Sequence, residues 1–228
     1  LAVGAYYEAS AATGIGGNQA DNSAVGAGAA YVFTRSGTTW SPQAYVKASN
    51  TEAYDHFGNS IALSGDGSIL AVSARAEDSA ATGVGSDERD NSAQDAGAVY
   101  VFGRSGTTWS QQAYVKASNS EEQDFFGFAI ALSADGSTLA VGGPDEDSAA
   151  KGIGGDESSN ATKDSGATYI YTRSDTTWRQ RAYVKSTDPY ERGAFGTSVA
   201  LSPTGAVLIT GAPAEHTTAG RVYVYPLP

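Results

Sequence analysis

Apolar and polar residues alternate along this chain in short runs, and the runs come in sets of four. Over 57–125 the two-residue period predicts strands at roughly Gly58 to Leu63, Ser68 to Ser73, Ala98 to Phe102 and Gln112 to Ala117. Ser64-Gly65-Asp66-Gly67 joins the first two and reads as a tight hairpin, because Asp-Gly accepts the positive φ such turns require. Arg104 to Thr108 reads as the turn between the third and fourth. Only the link from Ala74 to Ala96 is long. It is rich in Asp, Asn, Ser, Gly and Ala without an apolar period, so it is predicted to lie on the surface.

The set recurs every 69 residues: LAVG at Leu1 returns at Leu70, Leu139 and Leu208, and Trp40 returns at Trp109 and Trp178. The units run approximately over 1–56, 57–125, 126–194 and 195–228, the first and last being partial. Four consecutive strands per unit predict an all-β chain, a β-propeller of four-stranded antiparallel blades. The long loop accounts for a repeat longer than the usual blade. Fourteen strands make about three and a half blades, here taken as one half-propeller domain over 1–228. Two chains together supply enough strands for seven blades of four, or for an eight-bladed ring with incomplete blades. A two-fold homodimer closing one ring is therefore expected. The alternative is a trimmed piece of a longer propeller, to which Leu1-Ala2-Val3-Gly4, lying inside a repeat without an initiator Met, points.

Phe57-Gly58 recurs as Phe126-Gly127 and Phe195-Gly196, followed by stretches such as SIALSGDGSILAVSA, and a closing Gly-Ala-Pro survives at Gly211-Ala212-Pro213. Elsewhere that closing triplet has become Gly4-Ala5-Tyr6, Ser73-Ala74-Arg75 and Gly142-Gly143-Pro144. These phased motifs resemble the FG-GAP repeat of integrin α-subunit propellers and their bacterial relatives. The resemblance implies that the strand after Phe-Gly lies nearest the central channel. It also implies a non-catalytic extracellular or cell-surface module for adhesion or binding, with a protein or glycan partner. Integrin-type blades often hold calcium between their first two strands, but here that connection keeps one carboxylate at most, as in Ser133-Ala134-Asp135-Gly136, too few for a cation wanting six to eight oxygens.

Charge narrows the partners. Asp plus Glu number 25 against 14 Lys plus Arg, a formal charge of −11, so nucleic acid and anionic membranes are repelled and cations attracted. There is no Cys, hence no disulfide or thiol chemistry. No apolar run approaches the length of a membrane helix, and no signal peptide is visible.

The long loops carry the candidate metal ligands: Asp78, Asp87, Asp90, Asn91 and Asp95 in the second unit, and Asp145, Asp147, Asp156, Asn160 and Asp164 in the third. Asp78 and Asp147, Asp87 and Asp156, Asn91 and Asn160, and Asp95 and Asp164 keep register. Oxygen donors at fixed places in a glycine-containing loop suit Ca²⁺; a solvated loop kept similar by duplication is the other reading. The Trp series and Tyr31, Tyr100, Tyr169, Tyr223, Tyr45, Tyr114 and Tyr183 suit sugar stacking in a lectin, although packing between blades fits strand positions better. Lys47, Lys116 and Lys185, like Arg35, Arg104 and Arg173, read as edge-strand charges that discourage unwanted pairing. His56 and His216 stand at non-equivalent places, which gives a zinc site or a Ser-His-Asp triad little support. A polysaccharide-acting enzyme would need a carboxylate pair, and nothing in the sequence singles one out.

Overall fold

In the middle units the apolar runs are buried on both faces, the environment that near-continuous segments such as Ile-Leu-Ala-Val require. The computed structural model describes residues 1–228, the side chains of 217 and 218 excepted. Four antiparallel sheets form in chain order. The first holds β1 (Ala2–Ala5), β2 (Ala29–Ser36) and β3 (Thr39–Val46). The second holds β4 (Phe57–Leu63), β5 (Ile69–Ala74), β6 (Ala98–Ser105) and β7 (Thr108–Val115). The third holds β8 (Ala129–Leu132), β9 (Thr138–Gly143), β10 (Ala167–Ser174) and β11 (Thr177–Val184). The fourth holds β12 (Ser198–Leu201), β13 (Val207–Ala212) and β14 (Arg221–Pro226), with a 3-10 turn at Glu215–Thr218. Each sheet is one blade of an all-β propeller.

The sheets stack front to back. The back of the first blade (Val32, Val46) meets the front of the second (Leu70, Val72, Phe102, Trp109) in one apolar cluster. The second meets the third in the same way through Val99, Val101, Leu139, Val141, Tyr171 and Trp178. A third cluster joins Ile170 and Val184 to Phe195 and Leu208 of the last blade. The innermost strands converge: the Gly65 N–H donates to the Ala134 carbonyl and the Ala134 N–H to the Pro203 carbonyl, chaining the hairpin turns of three blades. The strand after Phe-Gly thus lies innermost, as expected.

The Phe-Gly and Gly-Ala-Pro signatures mark one contact. A Cβ at Gly142 would come within 1.9 Å of the Gly196 carbonyl oxygen, and one at Gly4 within 2.0 Å of the Gly58 oxygen. Backbones of adjacent blades touch there more closely than a side chain at Gly4 or Gly142 would allow. Where Ser73 replaces that glycine, its hydroxyl accepts the Ser60 N–H at 3.0 Å.

Two expectations need correction. The third and fourth strands run on to the Ser105–Thr108 pair, so the turn is Gly106-Thr107 alone; Gly106 adopts φ 61° and lets the hairpin close in two residues. The long loop is also not simply a surface strand of chain. Its Val84 forms an antiparallel bridge to Val115 on the outer strand, as Ile15 does to Val46 and Ile153 to Val184.

Candidate binding face

Hairpin geometry sorts the loops. The turns between first and second strands and between third and fourth lie at one end of the blades. The long loops and the connections between blades lie at the other. Of the 25 acidic residues, only Asp66, Asp135 and Asp175 lie outside those long loops and connections. One end of the molecule is therefore strongly anionic, and the hairpin end carries Arg35, Arg104 and Arg173 stacked on Trp40, Trp109 and Trp178 at 5.8–5.9 Å.

Each blade junction builds the same frame on the anionic end. The Tyr54, His56 and Phe57 N–H groups donate to Val25, Gly26 and Ala27, and Gln123, Phe125 and Phe126 repeat the pattern on Gln94, Asp95 and Ala96. Arg192, Ala194 and Phe195 repeat it on Lys163, Asp164 and Ser165. Non-glycine residues are held at positive φ in each frame: Tyr54 and His56 in the first, Asp95, Gln123 and Phe125 in the second, Asp164, Arg192 and Ala194 in the third. Such residues cost about 1 kcal/mol each or more and persist where the surroundings impose them, often at functional positions. The frame repeats while its side chains do not. The first junction gathers Tyr6, Tyr7, Tyr54 and His56, with Tyr7 and His56 edge to face at 5.2 Å and Tyr54 exposed. The second sets Arg75 over the Phe125 ring at 5.6 Å. The third offers Asp145 and Arg192.

Beneath the frame sits a buried ion pair that the sequence reading misassigned. Lys47, Lys116 and Lys185 are not exposed edge charges; all three are buried and paired with Glu8, Glu77 and Glu146 of the long loops at 2.9, 3.0 and 2.5 Å. Burial lowers the Lys116 pKa even with Glu77 beside it. Glu77 also accepts from Tyr114 at 2.8 Å and from Asn50 of the preceding connection at 3.0 Å, and Asn50 in turn accepts from Tyr100. Glu146, Tyr183, Asn119 and Tyr169 repeat the arrangement. The node ties loop, outer strand and neighbouring blade together. Its signal was available, since opposite charges recur with one period at Glu8, Glu77 and Glu146 and at Lys47, Lys116 and Lys185. Beside it lie Asp55 and Asp124, both buried and pushed up to about 8, chiefly by desolvation.

The candidate metal ligands are placed chiefly as caps. Asp78 accepts the Asp95 N–H at 2.8 Å and Asp147 the Asp164 N–H at 2.7 Å. Asp90 accepts from Ala80, a place that Asp21 fills in the first loop by accepting from Ala11. Asp87 and Asp156 each cap an amide two residues on, at Arg89 and Ser158. Asn91 and Asn160 donate to Glu52 and Glu121. Only Asp145, Asp147 and Asp164 crowd one another: desolvation, then the charges of Asp164 and Asp147, raise Asp145 to about 6. Among the described residues no group of three or more His, Cys, Asp or Glu is arranged to hold a metal ion.

The aromatic series packs. Trp109 and Trp178 are 4% and 2% exposed, whereas Trp40, on the uncovered front of the first blade, is 50% exposed. The two histidines lie at different junctions, His56 against the Tyr6 carbonyl and His216 against Asp188 at 3.0 Å.

A family model described as FG-GAP repeat matches residues 40–102 and 109–171. No curated protein matches the chain. Each matched segment begins on the outer strand of one blade and ends on the third strand of the next, so the unit it captures is the junction itself.

Proposed function

Because the chain belongs to the FG-GAP repeat family, we propose that it is a non-catalytic binding propeller of the extracellular space or cell surface that takes a protein partner on its anionic loop end. The observation that carries this reading is a repeated, strained backbone frame presenting different side chains at each junction, set in a field of carboxylates. Such a face suits a partner rich in Lys and Arg: charge draws it in and sets register, while rings such as Tyr54 stack on its cations. The exposed Tyr7 and Tyr54 rings favour glycan as the second reading, since sugars stack on the same surfaces.

Parallel arrays of cationic peptides and of glycans test the choice. Binding to cationic peptides that weakens with salt and with Y54A supports the proposal. Retention on glycans alone makes the protein a lectin, and release of reducing sugar from polysaccharide makes it an enzyme.

A further inference from the structure

The buried node at the first two junctions holds more than an ion pair. Asn50, on the connection leaving the first blade, gives its amide nitrogen to Glu77 at 3.0 Å and to the Glu88 carbonyl at 2.7 Å, and its amide oxygen takes the Tyr100 hydroxyl at 2.5 Å. The other oxygen of the Glu77 carboxylate holds the Lys116 ammonium at 3.0 Å. One carboxylate thus sits between an amine and an amide, with a hydroxyl aimed at the amide oxygen. The next junction repeats the set: Asn119 and Lys185 meet on Glu146, and Tyr169 reaches the Asn119 oxygen at 2.7 Å. Lys116, Glu77 and Tyr100 are at most 1% exposed, as are Lys185, Glu146 and Tyr169, so water has little access.

An amine attacks a carboxamide when it is uncharged, when the carbonyl oxygen is hydrogen-bonded and when a neighbouring acid hands protons to the leaving nitrogen. Burial lowers the pKa of both lysines, which favours the free amine. We propose that Lys116 joins Asn50, and Lys185 joins Asn119, through isopeptide bonds that staple neighbouring blades; the ion pair is the unreacted state. The Lys116 ammonium passes one proton to Glu77, and Nζ bonds to Asn50 Cγ while Tyr100 donates to the developing oxyanion. Nζ gives up a second proton and the Cγ–Nδ2 bond breaks. Glu77 relays both protons to the departing nitrogen, which leaves as ammonium, so the carboxylate is regained. Lys47 lacks the second reactant: Glu8 takes Lys47 and the Ser10 N–H, and among the described residues no asparagine donates to it. Each bond closes a long loop of chain and so stabilises the fold chiefly by constraining the unfolded state.

Intact-mass spectrometry with a peptide digest tests this. Each bond removes one ammonia, so the folded chain is expected about 34 Da below the mass of its sequence, about 17 Da for each junction. Trypsin is expected to release Lys116 joined to the peptide of Asn50 and Lys185 joined to that of Asn119, and to cleave normally after Lys47. N50A removes one reactant and Glu77→Gln the proton relay, so each is expected to halve the mass loss while the Lys185 link stays. A wild type at its full sequence mass overturns the proposal, as do lost ammonia without joined peptides, the mark of asparagine cyclising on its own backbone, and a mass loss that N50A or E77Q leaves whole. The wild-type mass and digest need no variant, so a substitution that misfolds does not blunt the test.

Discussion

Lys116 and Glu77 show how a charge inside a propeller is made tolerable. The ammonium reaches Glu77 at 3.0 Å, and the same carboxylate takes Tyr114 and Asn50, so its remaining oxygen capacity is used. Removing one partner leaves the other buried and uncompensated. Lys116→Met is therefore expected to cost about 3–5 kcal/mol in urea unfolding, and adding Glu77→Leu to recover part of that loss. A recovery of nothing would mean that the hydrogen bonds Glu77 accepts from Tyr114 and Asn50, rather than its pairing with the lysine charge, hold the node together. Asp55 and Asp124 give the chain a pH dependence. Their folded pKa of about 8 lies far above the roughly 3.9 of an unfolded Asp. Between those values the folded state holds protons that the unfolded state releases. The stabilisation is complete below the unfolded value and is lost as pH rises through about 8. The melting temperature is expected to fall between pH 5 and pH 8, and the double variant D55N/D124N to flatten that slope; an unchanged slope would assign it to other groups.

At the scale of elements, the long loops behave as parts of the blades that own them. Val84 bridges the outer strand, Glu77 anchors the loop's beginning, and Asp78 closes it by accepting the Asp95 N–H. Asp78→Ala is expected to lower stability by about 1 kcal/mol, the worth of one such hydrogen bond, equally in chelator and in millimolar calcium. A loss that appears only with calcium would instead make this carboxylate a ligand. The strands and hairpins were legible in the sequence because a two-residue period and Asp-Gly turns act locally. Phe57-Gly58 and Gly142 were legible as a family signature, although the backbone contact they make lies between blades. The loops were not legible. Their polar residues bond to partners such as Asn50 with Glu77, 27 positions apart, and composition alone cannot separate a carboxylate that caps an amide from one that waits for a cation. The positive φ of Tyr54 or Phe125 left no trace either, since neither residue type favours it.

For the molecule as a whole, stability should follow position in the stack. The second and third blades are covered on both sides, and β5 and β9 have every residue buried. The first and fourth blades are each covered on one side only, and β14 has no strand beyond it. In a linear array of repeats, each unit is held by its own sheet and by its nearest neighbours, so a unit with one neighbour opens first. Hydrogen exchange is therefore expected to be fast in β1 and β14 and slowest in β5 and β9, with protection falling off towards both ends. Equal protection across all four sheets would show that the blades unfold as one unit, with the junctions strong enough to erase the difference between covered and open ends.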